Sequence, residues 1–445
     1  MTNYSKDVFI YKNPAKLLQN LIRFNTTNPP GNETESIMYI MDLLEKAHIE
    51  VKTFGRKTER QNLYARIKGN GSAPPFLMYG HIDVVTTENQ NWQVPPFEGR
   101  IKDGCVWGRG ALDMKGALAM MIAAFLRIKV EALTPSGDII LCIVTDEEDE
   151  GYYGARYMVE EHPELFEDVQ FAIGEIGGFT LHMDHKRFYP IMISEKQKCA
   201  LKTIIKGPGG HGSMPIRDGA MAKLAYVLER LNTKRLPVHI TPPVKQMIEA
   251  LSSNMSFPAN KVLRQLLNTG MSNKVLNLLG SNGYLFDPLL HNTVNATIVK
   301  GGNKINVIPS EITLEFDGRL LPGYKPDDLV SELNALLGSE HEFEVTFYYP
   351  GPDSVNMDLF NTLSSVLCDF DSEAIPIPFV GCGVTDARYF SKLGIQTYGF
   401  TPMILPEEIN FSKLIHSADE RIPVEAMEFG SETIYELLKR LSLFD

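Results

Sequence analysis

Six side chains able to hold a metal ion or move a proton stand at the ends of apolar runs or on the glycine-rich and polar loops beside them: His81, Asp113, Glu147, Glu148, Glu175 and His416. The run from Phe76 to Val85 reads Phe-Leu-Met-Tyr-Gly-His-Ile-Asp-Val-Val. It predicts a buried strand whose C-terminal end presents an imidazole, with a carboxylate two residues later. Residues i and i+2 of an extended chain share a face, so Asp83 can sit beside His81, fix its tautomer and raise its basicity. An ordinary histidine at a strand end is the competing reading of this pair taken alone.

Asp113 follows a glycine-rich approach, Trp107-Gly-Arg-Gly-Ala-Leu-Asp-Met-Lys-Gly116, and precedes a helical run to about Lys129. Either a helix cap or a turn around an ion suits it. Asp138 to Val144 reads as a second buried strand and ends in Thr145-Asp-Glu-Glu-Asp-Glu150. A solvated acidic turn competes there with carboxylates delivered to the crevice where open α/β sheets bind ligands. Val169 to Ile173 repeats the pattern and delivers Glu175. Imidazoles and carboxylates without thiolates favour catalytic zinc, manganese or cobalt over a structural zinc. Even five such ligands exceed what one catalytic zinc takes. They suit a pair of ions sharing one carboxylate, an arrangement that generates hydroxide near neutral pH and polarises a carbonyl.

The elements that must position these groups divide in two. Helices are predicted at Pro14 to Phe24 and Glu33 to Ala47, and strands at Ile49 to Phe54 and Asn62 to Ile67. Pro95 to Gly110, rich in Gly, Pro and aromatics, reads as a loop over a site. From about Lys196, strands at Ala200 to Ile205, Thr293 to Val299, Glu311 to Leu320 and His341 to Tyr348 alternate with helices near Asp218 to Leu231 and Lys325 to Leu337. That order is a ferredoxin-like α/β sandwich inserted into a larger α/β domain. An extra helical stretch, about Thr241 to Asn292, is longer than a connection needs to be. Residues 1–195 and 354–445 are thus expected to form one domain and 196–353 the insert.

With 445 residues, two domains are the natural expectation. Acidic residues outnumber basic ones 55 to 43, a net charge of −12, which argues against nucleic acid or an anionic membrane as partner. The five cysteines are scattered and odd in number, without Cys-x-x-Cys spacing, so neither a disulfide framework nor a thiolate zinc site is expected. No secretory leader or bilayer-length apolar run is read, and a reducing cytoplasm fits best.

Six stretches also carry a resemblance, in one order along the chain: Gly80-His-Ile-Asp-Val-Val85, Trp107 to Gly116, Thr145-Asp-Glu-Glu148, Lys206-Gly-Pro-Gly-Gly-His-Gly-Ser-Met-Pro215, Asn306-Val-Ile-Pro309 and His416-Ser-Ala-Asp-Glu-Arg421. Together they resemble the dizinc aminoacylase and carboxypeptidase family, which includes acetylornithine deacetylase, succinyl-diaminopimelate desuccinylase and carboxypeptidase S. The resemblance implies a three-layer α/β/α catalytic domain with a mixed sheet and an inserted lid and dimerisation domain. It implies two divalent ions, Zn2+ first, with Co2+ or Mn2+ as alternatives. One takes His81 and Glu175, the other Glu148 and His416, and Asp113 bridges them. Glu147 becomes the general base and acid, Asp83 orients His81, and His211 steadies the oxyanion. Asn306, Arg319 and Arg388 are implied as substrate-holding groups, with a structural salt bridge the competing reading for either arginine. A strained Asp113-Met114 peptide, cis in its extreme form, is implied as well. The surroundings of Glu175, Gly174-Glu-Ile-Gly-Gly178, depart from the commoner family pattern. The helical stretch resembles the enlarged lid of carboxypeptidase S and related N-acyl-amino-acid hydrolases.

The expected activity is hydrolysis of an amide, in an N-acyl amino acid or short peptide, next to a free carboxylate. A dedicated biosynthetic deacylase of the acetylornithine or succinyl-diaminopimelate type is the alternative within enzymes. A non-catalytic binding protein on the same fold is the alternative outside them, and the retention of Glu147 and both histidines argues against it.

Overall fold

The computed structural model describes residues 4–338, 341–352 and 354–441, of which 281 and 282 by backbone alone. The chain divides into two compact units, residues 1–193, 355–379 and 385–445 in the first and residues 194–354 with 380–384 in the second.

In the first unit, Phe76–His81 and Ile139–Val144 are buried at every position. Such continuous apolar runs belong to strands covered on both faces. They lie parallel, with His81 opposite Val144. Phe171–Gly174 runs parallel on the other side, and Gln396–Gly399 extends the parallel set. Among the described residues the full sheet has nine strands. Its main path runs Glu50–Lys57, Arg60–Ile67, Ile139–Val144, Phe76–His81, Phe171–Gly174, Gln396–Gly399, Lys186–Glu195, Ala374–Gly381. Antiparallel pairing of Arg60–Ile67 with Ile139–Val144 makes the sheet mixed.

Adjacent residues of the central strand reveal the layers on either side. Gly80 faces Met114 and Leu118 on one side, while Tyr79 meets Phe390 on the other, ring centroids 4.6 Å apart. The helix Lys115–Val130 is buried almost all round, because Pro14–Ile22 and Val424–Leu441 pack over it. The outcome is the expected three-layer α/β/α arrangement.

The stretch from Pro95 to Gly110 is more ordered than the expected loop. Arg100–Lys102 and Cys105–Trp107 form a hairpin, and Arg421–Pro423 adds a third strand beside Trp107. The physical reason is Asp103-Gly104, both at positive φ (51° and 72°), the turn chemistry that matches the twist of a two-residue hairpin.

The second unit holds a four-stranded antiparallel sheet in the order Thr293–Lys300, Glu311–Leu320, Gln197–Lys206, Phe343–Tyr348. Strand alternation drives it: Glu311–Leu320 buries every second residue, including Ile312, Leu314, Phe316 and Leu320. These meet Val227 and Leu329, Leu333 and Leu337 of the helices Ala220–Thr233 and Pro326–Leu337. This is the ferredoxin-like order. Between Ala220–Thr233 and Thr293–Lys300 come Pro242–Asn254, Ala259–Arg264, Ser272–Leu279 and Asp287–Leu290, which bury Met247, Ile248, Leu251, Leu263 and Leu276.

Gly430 sets how closely the C-terminal helix approaches Lys115–Val130, since a methyl group there would overlap Met120 Sδ and the Pro402 carbonyl. Overpacking of this kind costs about 1–3 kcal/mol. Gly430→Ala is therefore expected to lower the unfolding free energy of the apoprotein by that amount, seen as a lower urea midpoint at constant m-value; a wild-type midpoint would show that the helix can back away freely.

Candidate dimetal centre

Parallel strands that end at one edge of a sheet deliver whatever follows them to a common crevice. His81 closes its strand, Glu175 follows Gly174, and Glu147 and Glu148 lie three and four residues past Val144. Asp113 precedes the helix Lys115–Val130 and does not cap it. Two groups of side chains with mutually close ligand atoms result: His81, Asp113 and Glu175, and Asp113, Glu148 and His416. Asp113 is common to both. His81 Nε2 lies 3.1 Å from Asp113 Oδ1 and 3.6 Å from Glu175 Oε2. His416 Nε2 lies 3.2 Å from the other oxygen, Asp113 Oδ2, and 3.3 Å from Glu148 Oε2. His81 and Glu175 are buried and Asp113 is partly so, whereas the His416 side chain is half exposed.

The backbone is bent to make this possible. Ile176 after Glu175, Asp146 before Glu147, and His416 itself all have φ between 60° and 69°. Non-glycine residues in that region gather where function over-determines the turn. Gly110 (φ 85°) permits the close turn ahead of Asp113, and the Asp113-Met114 peptide is cis.

Asp83 has a wider task than its spacing predicts. His81 Nδ1 is 3.0 Å from the Asp83 carbonyl and 3.6 Å from its carboxylate. The carboxylate itself accepts from the backbone N–H groups of Glu147 and Glu148, both at 3.2 Å, and from Asn28 Nδ2 at 2.9 Å. It thus ties the histidine strand to the acidic turn. That turn is held from behind by Asp146, which accepts from Asn28 Nδ2 at 3.1 Å and Tyr153 N at 3.0 Å and pairs with Arg60 Nη1 at 2.9 Å. Arg60 in turn makes a two-pronged pair with Glu33. Asn28, Glu33 and Arg60 escaped the sequence reading, and Asp146 entered it only as one of an acidic run. Only Asn28 had a usable signal, the turn-rich Asn25-Thr-Thr-Asn-Pro-Pro-Gly31.

Two observations show that the residues fit cations. With Nδ1 facing two oxygens, His81 carries its proton there and aims the Nε2 lone pair at two carboxylates, an arrangement that needs a positive charge between them. Glu148 Oε1 and Glu175 Oε1 are buried without a hydrogen-bond donor. The titration of the cluster expresses the same demand. Burial and the neighbouring charge of Asp113 push Glu148 up to about 7, against the pull of His416. Burial, then Glu175 and Asp386, push Glu147 well above the carboxylate range. Hydrogen bonds to Asp113 and Glu148 raise His416 to about 10, and His81 is raised by Asp113, Asp83 and Glu175 against the opposing effect of its burial. Asp113 is pulled well down by the two imidazoles although burial opposes it.

Glu147 belongs to neither group. The other residues singled out from sequence lie elsewhere. Arg388 is buried in the first unit, on the short helix Ala387–Phe390, where its charge acts on Asp386. In the second unit, Arg319 is paired through two nitrogens with Asp317, at 2.7 and 2.9 Å. Asn306 is exposed, and its carbonyl accepts from Gly212 N at 2.8 Å. His211 is exposed, with Ser213 Oγ 2.7 Å and Ser213 N 3.3 Å from Nδ1. Accepting from that N–H leaves the imidazole proton on Nε2.

Known proteins share both sequence and fold. The human N-fatty-acyl-amino acid synthase/hydrolase PM20D1 is 28% identical over 396 residues, 86% of this chain and 77% of that one. A probable succinyl-diaminopimelate desuccinylase of Staphylococcus aureus strain Mu50 is 26% identical over 400 residues, 88% and 89% of the two chains. The crystal structure of an M20 family metallo-carboxypeptidase from Sulfolobus solfataricus superposes with a TM-score of 0.70 at 17% identity, covering 99% of this chain and 100% of that one. The profile of peptidase family M20/M25/M40 matches residues 77–440, which include all six residues at the ends of the apolar runs. The chain therefore belongs to peptidase family M20/M25/M40 and is a metal-dependent amide hydrolase.

Proposed function

We propose that the enzyme is dinuclear and cleaves the amide of an N-acyl amino acid or short peptide next to a free carboxylate. The observation that carries this reading is Asp113, whose two carboxylate oxygens face two different imidazoles. His81, Asp113 and Glu175 would hold one cation, and Asp113, Glu148 and His416 the other; the donor set favours Zn2+, with Co2+ or Mn2+ as alternatives. Bound there, the pair would acidify a water and polarise the scissile carbonyl.

The remaining steps belong to the chain. Glu147, beside both groups and in neither, accepts the proton of the attacking water and returns it to the leaving nitrogen. Its raised proton affinity, which comes from burial and from Glu175, suits a group that must hold that proton in transit. His211 donates from Nε2 to the oxyanion, a task supported by the Ser213 contact to Nδ1. Asn306, Arg319 and Arg388 hold the substrate, with Arg319 exchanging its Asp317 partner for the substrate carboxylate.

The N-acyl amino acid class is supported by the names of the relatives, since N-fatty-acyl amino acids and succinyl-diaminopimelate both place an acylated amine beside a carboxylate. The second of these names keeps a dedicated biosynthetic deacylase as the narrower alternative. Residues 1–195 and 354–445 form the catalytic domain, and 196–353 the lid and dimerisation domain. The exposed Ile298 and Val299 on the edge strand Thr293–Lys300 support self-association there. Five unpaired cysteines support a cytoplasmic setting. Among the described residues no helix is long and apolar enough to cross a membrane.

Glu147→Gln keeps volume but removes the proton acceptor, so turnover should fall at least about 100-fold with metal content unchanged. Loss of metal in Glu147→Gln, with Glu148→Gln retaining it, would reverse the two roles. His211→Ala should lose about 100- to 1,000-fold in kcat with both metals retained. If the histidine serves a partner subunit, mixing His211→Ala with Glu147→Gln subunits restores activity; full activity of His211→Ala alone removes it from the reaction.

A further inference from the structure

Within the His416-Ser-Ala-Asp-Glu-Arg421 stretch, the Glu420 side chain accepts from three backbone N–H groups of the loop that carries Asp113. It is fully buried. Its Oε1 accepts from Leu112 N at 2.7 Å and Asp113 N at 3.1 Å, and its Oε2 from Gly110 N at 3.1 Å and Arg109 Nη1 at 2.6 Å. Its carbonyl accepts from Gly108 N at 2.9 Å. One residue thus pins the loop 108–113 to the segment four residues after His416.

Arg109 closes the connection. Its exposure is 1%, and its second nitrogen donates to Gln90 Oε1 at 2.8 Å. Gln90 Nε2 donates to the carbonyl of His416 at 2.8 Å. Trp92 steadies this rim, donating to Gln90 Oε1 at 3.1 Å and lying under the guanidinium at 5.2 Å. The chain Asp113 N, Glu420, Arg109, Gln90, His416 O therefore spans the two ligands on both sides of the more exposed cation position. His81 and Glu175, on or directly after two sheet strands, do not depend on it.

We propose that Glu420 and Arg109 are positioning residues that set the separation of Asp113 and His416, and with it the affinity of the Asp113, Glu148 and His416 group for its cation. This rests on the dinuclear reading. A buried carboxylate that meets three backbone N–H groups and a guanidinium has no isosteric neutral substitute: in Glu420→Gln the amide NH2 must face either those N–H groups or Arg109. Groups that orient metal ligands from behind typically change metal affinity about 10- to 100-fold.

The test is calorimetric titration of chelator-stripped full-length protein with zinc chloride, alongside thermal unfolding of the same apoproteins. Wild type is expected to bind two equivalents. In Glu420→Gln the second equivalent should weaken at least about 10-fold, and the first, which shares only Asp113 with it, by a clearly smaller factor. Gln90→Leu, a change at the rim that leaves Glu420 in place, should weaken the second equivalent in the same direction with an unchanged apoprotein melting temperature, and it decides alone if Glu420→Gln does not fold. An unaltered second equivalent in the folded variants, or parallel weakening of both, overturns the proposal. A wild type that binds fewer than two equivalents overturns the dinuclear reading instead.

Discussion

Everything in the first unit answers to one constraint: four carboxylates, Asp113, Glu147, Glu148 and Glu175, are brought to the same strand ends with two imidazoles. Mutual repulsion in a partly desolvated crevice is expensive, and the cluster expresses it by raising Glu147 and Glu148 and by holding protons on His81 and His416. Cations relieve what protons otherwise must. The site is therefore a trap for positive charge whose empty form is electrostatically frustrated, which is the condition under which binding energy and local order become coupled.

Holding such a cluster needs rigid supports, and the fold uses buried charge for them. Glu33 with Arg60 and Asp146 braces the acidic turn; Glu420 with Arg109 braces the Asp113 loop; Lys115 donates to the carbonyls of Leu21 and Phe24 at 3.2 and 2.8 Å. Buried ion pairs are poor sources of net stability, because desolvation offsets their attraction. Their use here is directional. A guanidinium or carboxylate with several fixed partners specifies a loop conformation that apolar packing would leave slack, and the positive φ values at Asp146 and His416 show that these loops are not in conformations they would adopt alone.

The candidate ligands were legible because most of them follow apolar runs. Phe76–His81 and Ile139–Val144 are uninterrupted, so the strand ends, and with them His81 and the acidic turn, could be located to within a residue or two. Lys186–Glu195 is buried from Phe188 onward but begins Lys-Arg and contains Pro190, which masks a strand. Ala374–Gly381 carries Pro376 and Pro378, and the structure tolerates them because it is the sheet's edge. The pairing of the supports was not legible. An ion pair between Arg109 and Glu420 joins residues 311 apart, and no local periodicity records it.

The adjacent glutamates show how a single turn can divide labour. Both donate their backbone N–H to Asp83, so the main chain fixes them as a pair, and the side chains then diverge. Glu148 reaches His416, while Glu147 is left facing the same field without an imidazole of its own. A carboxylate close to a charged cluster but excluded from coordination keeps a free lone pair and a proton affinity set by its neighbours. In the proposed reaction, proximity without ligation, set by one residue's offset along a 3-10 turn after a parallel strand, is what would separate a proton carrier from a ligand.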